Sequence, residues 1–445
     1  MLIVEKTNKK LEGEVIIPPS KSYTHRAVIC ASLGNGTSKI YNPLNSADCL
    51  SSVSSCIMLG AKINTNNKNL WVVTGVNNNI KTPENVIDIG NSGTTLRILT
   101  GIVSQIPGGY AILTGDNSII KRPMGPLIEA LNNLGIEVFS AKPNNTAPII
   151  VKSSEIKNNV VEIRGDMSSQ FITSLLMTLP FSKNDSIVKI TTPLKSEPYV
   201  DITIDVLSKF GINIEKEVIK DNDNANNNNN NNNLINFKIK GNQKYKSRDY
   251  TVEGDYSSSS YFIALGVLTN SNIILKNLFK NSKQGDKEII NIVKKMGAEV
   301  IEEEDKIIIK GPYNLKGIDV DVKNTPDLVP TIAILGCFAK GTTTIYNGEH
   351  VRLKECDRLN ACAVELSKMG ADIKETLDGL IINGVDKLKG AELETYHDHR
   401  LVMAFTIAGI MAEGKTIIKG EDSVKISFPN FVETIKSLGA NITVK

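Results

Sequence analysis

The sequence predicts an α/β protein built from six repeated units of helices and hairpins, three to a lobe. One short phrase, apolar-x-x-apolar-Gly-(Ala/Ile)-x-apolar, occurs six times, with its glycines at Gly60, Gly135, Gly211, Gly297, Gly370 and Gly439. The intervals are 75, 76, 86, 73 and 69 residues, too even for chance pairs of Leu and Gly. At 445 residues the chain also exceeds what one hydrophobic core serves, so at least two domains are expected.

Each copy of the phrase makes local sense. The i, i+3 apolar pair closes an amphipathic helix, and the glycine supplies a left-handed stop without a Cβ clash. Alternating residues follow, as in Ala298–Lys310, which read as strand, acidic turn, strand. The N-terminal stretch Leu2–Ile17 reads as a first strand, and Pro18-Pro19 as a crossing between lobes. A second crossing is expected near Lys246–Gly254, giving one lobe of residues 1–19 plus 253–445 and another of 20–252. Two crossings make a hinge, with the active cleft expected between the lobes. The one long interval has a visible cause. Residues 221–233 include eight consecutive asparagines, Asn226 to Asn233, between two alternating flanks, and are expected to form a disordered hairpin loop that can be deleted without harm.

Composition narrows the function. Fifty-one Lys and Arg against 48 Asp and Glu leave a net charge of +3, which argues against a strongly basic nucleic-acid binder. The two longest near-apolar runs, Leu328–Ala339 and Leu401–Ala412, are about 12 residues where a membrane span needs about 20. Six cysteines without a CxxC pair point to reduced thiols in a cytoplasm.

Five segments place cations and small polar residues beside expected helix starts. In Pro19-Ser-Lys21-Ser22-Tyr-Thr-His25-Arg26, Ser22 and Arg26 share a helix face and Lys21 lies in the first turn, where free N–H groups favour a phosphate or carboxylate. Gly90-Asn91-Ser92-Gly93 lets backbone approach a ligand ahead of a helix. It is neither a P-loop nor a dinucleotide fingerprint. Lys121-Arg122-Pro123-Met124 holds two cations, exposed or in a site. On a helix, Lys354 and Arg358 would share a face with Glu355 one step round: an anion clamp beside an acid/base carboxylate, or a surface helix laced by ion pairs. Tyr396-His397-Asp398-His399-Arg400 lacks a metal-spaced third ligand, so no metal is expected there. Together the segments describe a cleft for two polyanionic small molecules.

Taken with Ser168-Ser169-Gln170-Phe171, these motifs resemble, in order and over residues 18–430, the signature series of the EPSP synthase family. The resemblance implies two lobes, each of three βαβαββ units. It implies transfer of the enolpyruvyl group of phosphoenolpyruvate to the 5-hydroxyl of shikimate 3-phosphate, without metal or redox cofactor. By position, Lys21 would touch both substrates, with Ser22, Arg26, Ser168, Ser169, Gln170, Ser196, Tyr199, Asp327, His350 and Lys354 on shikimate 3-phosphate. Asn91, Gly93, Arg122, Gln170, Arg358 and Arg400 would hold phosphoenolpyruvate. Asp327 matches the carboxylate that takes the hydroxyl proton. Glu355 and Lys354 complete the proton-transfer set, which leaves open the group that protonates the methylene carbon. No nucleic acid and no membrane is implied, and a monomer is expected.

Two departures from the family pattern stand out. Ile426 occupies the place of a lysine that in many members reaches phosphoenolpyruvate. Lys425 lies one residue early, so the contact is lost or a bulge re-aims Lys425. His350 stands where many members have Asn. The nearest alternative is the sister enolpyruvyl transferase acting on UDP-N-acetylglucosamine. It typically carries a cysteine five residues before the arginine matching Arg122; here that residue is Asn117. A non-catalytic or nucleic-acid end-processing relative of the same repeats fits poorly with the modest charge and with Lys21, Asp327 and Glu355.

Overall fold

The structure, a computed structural model, describes residues 1–219 and 234–445. The asparagine loop expected at 221–233 lies outside the described residues. The chain divides into two compact units, Met1–Ser20 with Glu253–Lys445, and Lys21–Val252.

The unit Lys21–Val252 contains helices α1 (Lys21–Leu33), α2 (Ala47–Met58), α3 (Gly93–Ile102), α4 (Gly125–Asn133), α5 (Ser169–Thr178) and α6 (Glu197–Lys209). The other contains α7 (Tyr256–Leu268), α8 (Ile289–Lys295), α9 (Val329–Cys337), α10 (Arg358–Lys368), α11 (His399–Met411) and α12 (Phe431–Ser437). Odd and even helices differ in kind. Every residue of α7 and α9 is buried, as is all of α11 but Met411. Those two apolar runs, Leu328–Ala339 and Leu401–Ala412, are thus inner helices. No helix among the described residues is long and apolar enough to cross a membrane. The even helices bury one face, as α4 does with Leu127, Ile128, Ala130 and Leu131, because an amphipathic stripe can cover a core only from outside. All six even helices end at the repeated glycines, whose φ values run from +84° to +105°.

Each repeat adds a four-stranded sheet of one topology. In the first, Thr37–Tyr41 runs parallel to Tyr250–Thr251 and antiparallel to Leu70–Thr74, which pairs in turn with Lys62–Asn67. The other five sheets repeat this order of one parallel and two antiparallel pairings. In the fourth interval, Val300–Glu302 and Lys306–Ile309 form the expected hairpin around the acidic turn. Ile214–Ile219 and Leu234–Ile239 pair as the flanks of the asparagine tract were expected to.

The N-terminal stretch differs from expectation. Leu2–Ile17 forms two strands in two sheets. Leu2–Glu5 pairs antiparallel with Lys415–Ile418 and Ile442–Val444, while Leu11–Ile16 runs parallel to Ser271–Lys276. The polar run Glu5–Lys10 has no apolar side chain to bury, so the chain leaves one sheet there and enters the next.

Nothing lies within 4 Å of a Cβ added at Gly370, so its substitution isolates the backbone effect of φ +85°. We expect Gly370→Ala to lower stability by about 1–2 kcal/mol in urea unfolding, the left-handed cost for an L-residue. A neutral result would contradict the glycine stop.

Candidate functional site

The motifs singled out above fall at helix starts, those at Lys21, Gly93 and His399 opening inner helices and those at Met124 and Arg358 opening outer ones; there backbone N–H groups lack intrahelical partners and the helix dipole is positive. In the unit Lys21–Val252, α3 is capped by Ser92, whose Oγ accepts from Thr95 N, and α5 by Ser168, whose Oγ accepts from Gln170 N. The Gln170 amide ties these two ends together: its Nε2 donates to Thr94 at 3.1 Å and its Oε1 accepts from Arg97 Nη1 at 2.7 Å. Ser169 lies in the same first turn. Ser196, left-handed at φ +55°, opens α6, with Tyr199 one turn on.

Lys21, first residue of α1, pairs through Nζ with Asp48 Oδ2 at 3.0 Å, and His25 Nε2 lies 3.3 Å from Asp48 Oδ1. From His25 Nδ1 a buried hydroxyl chain continues through Ser52 to Thr95 and Ser92. Burial opposes ionisation of Asp48, but Lys21, His25 and Ser92 outweigh it and hold the carboxyl well below its usual range. Arg26 is turned toward protein. Its guanidinium donates to Thr203 Oγ1 at 2.8 Å, to the carbonyls of Ser22 and Tyr199 at 2.8 and 3.1 Å, and to Thr173 Oγ1 at 3.3 Å, tying α1 to α5 and α6. Burial lowers its pKa to about 10. Of the adjacent cations, Lys121 is exposed and Arg122 is buried. Arg122 donates to Ser118 Oγ at 3.1 Å and lies against Gly93 in the Asn91–Gly93 turn, where an added Cβ would sit 2.6 Å from its Nη1.

The unit ending at Lys445 holds a denser charge cluster. Arg358 donates from Nε to Asp398 Oδ2 at 2.7 Å, from Nη1 to Asp327 Oδ1 at 2.7 Å, and from Nη2 to Glu355 Oε2 at 2.6 Å. Arg400 Nη2 donates to Asp327 Oδ2 at 2.7 Å, and Lys354 Nζ lies 3.8 Å from Asp327 Oδ1. Burial would push Asp327 up, yet Arg400, Lys354 and Arg358 hold it ionised, well below the carboxylate range. Burial lowers the Lys354 ammonium, with Asp327 opposing that shift. His350 is buried in the 3-10 turn Glu349–Leu353 of the same unit.

One expectation needs correction. Lys354 and Glu355 are not on a helix. They lie between that 3-10 turn and α10, whose N-cap is Asp357 and first residue Arg358, so Glu355 reaches Arg358 from a bend before the helix. Asp357 prefers to cap, accepting from Asn360 N, and Arg352 clamps it at 2.7 Å while also pairing with Glu375. In the turn Glu421–Ile426, where the sequence left two readings open, Lys425 is exposed and pairs with Asp422 at 2.5 Å. Among the described residues, no three His, Cys, Asp or Glu side chains are grouped to hold a metal.

Residues 5–435 match the family model described as EPSP synthase (3-phosphoshikimate 1-carboxyvinyltransferase). The chain belongs to the EPSP synthase family. It is 74% identical over 445 residues, all of both chains, to a 3-phosphoshikimate 1-carboxyvinyltransferase of Methanococcus aeolicus. Against the protein of the same name from Methanocaldococcus jannaschii it is 68% identical over 446 aligned positions, again the whole of both chains. An EPSP synthase structure from Acinetobacter baumannii superimposes with a TM-score of 0.82 at 27% identity, covering 100% of this chain and 99% of that one.

Sequence reading missed Asp48, which sits in an unremarkable helix start, and it weighed Asp398 only as a metal ligand. Asp398 is fully buried against Arg358 and also caps α11. We expect Asp398→Ala to cost about 3–5 kcal/mol, the penalty for stranding a buried charge, read as a lower unfolding midpoint of that unit. A loss under about 1 kcal/mol would show that Arg358 is held without it.

Proposed function

We propose that the chain transfers the enolpyruvyl group of phosphoenolpyruvate to the 5-hydroxyl of shikimate 3-phosphate and releases phosphate. The observation that carries this reading is Asp327, an ionised carboxylate fixed among Arg358, Arg400 and Lys354, in a chain that matches carboxyvinyltransferases over its full length.

The chemistry follows from the charges. Addition forms a bond between the hydroxyl oxygen and C2 of phosphoenolpyruvate, while C3 gains a proton and the hydroxyl loses one. Elimination then breaks the C2–phosphate oxygen bond and returns a proton from C3. Asp327 takes the hydroxyl proton, and its ionised state is the one a base needs. Glu355 and Lys354, adjacent in the bend before α10, serve proton transfer, with Lys21 touching both substrates. Arg358, Arg400 and Arg122, with the Asn91–Gly93 turn, hold phosphoenolpyruvate through fixed donors that meet charge as it develops. Ser22, Ser168, Ser169, Gln170, Ser196, Tyr199 and His350 line the shikimate phosphate side. Arg26 fixes the frame of that pocket and adds a cation to it. Both steps are redox-neutral. The chain works as a cytoplasmic monomer, the cytoplasm being in keeping with six cysteines of which none, among the described residues, forms a disulfide.

Asp327→Asn and Glu355→Gln should each keep the fold and lose about 10²–10⁴-fold in kcat, measured as phosphate release with both substrates. Near-normal turnover in both would remove the acid/base assignment. Gly93→Ala should raise KM for phosphoenolpyruvate, because the new methyl must displace Arg122. Release with UDP-N-acetylglucosamine, and none with the shikimate ester, would favour the sister reaction.

A further inference from the structure

Glu365 is a fully buried carboxylate that no step above uses. It lies in α10 and is 0% exposed. An acidic side chain is almost never buried to that extent unless its oxygens are matched. Three donors match this one. Lys368 Nζ lies 2.6 Å from Oε2, the backbone N of Glu394 donates to the same oxygen at 2.9 Å, and the Tyr396 hydroxyl donates to Oε1 at 2.8 Å. Two of the three come from the segment that leads into α11.

That segment makes a costly turn. Tyr396 and His397 are both left-handed, at φ +51° and +58°, and the turn closes where Asp398 N donates to Thr395 O at 2.8 Å. A turn with both central residues left-handed is the habit of Gly, Asn and Asp, because a larger side chain is crowded there. Elsewhere the chain keeps to that habit: of its ten left-handed residues other than glycine, among the described residues, seven are asparagine. The side chains of Tyr396 and His397 are exposed, so core packing does not hold the turn. Its anchors are the Thr395 hydroxyl, which donates to Lys419 O at 2.7 Å, and the Tyr396 hydroxyl on Glu365. Directly after it come Asp398, which caps α11 and pairs with Arg358, and Arg400, which pairs with Asp327.

We propose that Glu365 is a positioning residue: through the Tyr396 hydroxyl it holds the left-handed turn that aims Asp398 and Arg400. This rests on the transfer reading, in which Arg358 and Arg400 meet phosphoenolpyruvate. A backbone conformation that costs energy persists only where its surroundings enforce it. Without the anchor the turn relaxes, Asp398 moves off Arg358, and both arginines lose their geometry.

The test is phosphate release by the full chain, the wild type against Tyr396→Phe, Glu365→Gln and Tyr396→Gly, with unfolding midpoints alongside. Tyr396→Phe should raise KM for phosphoenolpyruvate about tenfold, the loss of one hydrogen bond to a charged acceptor. KM for shikimate 3-phosphate should rise much less. Glu365→Gln keeps the shape but not the charge that strengthens the bond, and should shift KM the same way. Tyr396→Gly lacks the hydroxyl too, yet glycine takes the left-handed turn unaided, so its KM should stay within about threefold of wild type. A lowered unfolding midpoint with KM unchanged in Tyr396→Phe would overturn the proposal, as would equal rises for both substrates or a glycine variant worse than the phenylalanine one. If the wild type releases no phosphate, the transfer reading falls. Crystal structures of wild type and Tyr396→Phe then decide the proposal: a displaced Asp398 or Arg400 supports it, and coincident positions overturn it.

Discussion

A guanidinium withdrawn from water must be matched by fixed negative charge, and Arg358 is matched three times, by Asp327, Glu355 and Asp398. A buried charge set of this kind is a poor source of stability, because desolvation consumes most of the Coulomb gain. Its value lies in direction. The planar fork fixes where each carboxylate can sit, and those carboxylates come from the turn before α9, the segment before α10 and the start of α11. Arg358 thus joins three helix starts into one rigid arrangement, and Asp327 is positioned by it and kept ionised by Arg400, Lys354 and Arg358 together.

The repeat supplies the scaffold. An inner helix buried on all sides can point its N-terminus at a ligand only if other elements satisfy and cover its flanks. The outer helix and the four-stranded sheet do that in every unit. The glycine stop turns each outer helix into its hairpin with almost the same φ six times. The polar network around Lys21 is assembled in the same way, with Asp48, Ser52 and Thr95 joining the ends of α1, α2 and α3.

Much of the fold was legible because its signals are local. Period, glycine and turn chemistry sit within a few residues of each other, so the outer helices and hairpins follow from the phrase that encodes them. Leu2–Ile17 misled because sheet membership is decided by distant partners, Lys415–Ile418 for one half and Ser271–Lys276 for the other. The site motifs were legible as cations beside helix starts, but their pairing was not. Lys354 and Glu355 read as helical by spacing, whereas Asp357 caps α10 and Arg352 ties down the preceding segment. Asp48 carries no motif at all; only tertiary structure brings it to Lys21.

The central claim is that a cationic frame keeps the buried Asp327 ionised. Carboxyl carbon titration of the full chain with labelled aspartate, the resonance assigned by Asp327→Asn, tests it directly. The account predicts that Asp327 keeps its ionised shift throughout about pH 5 to about pH 8, where burial without the cations would make it titrate. A titration of Asp327 within that range would contradict it.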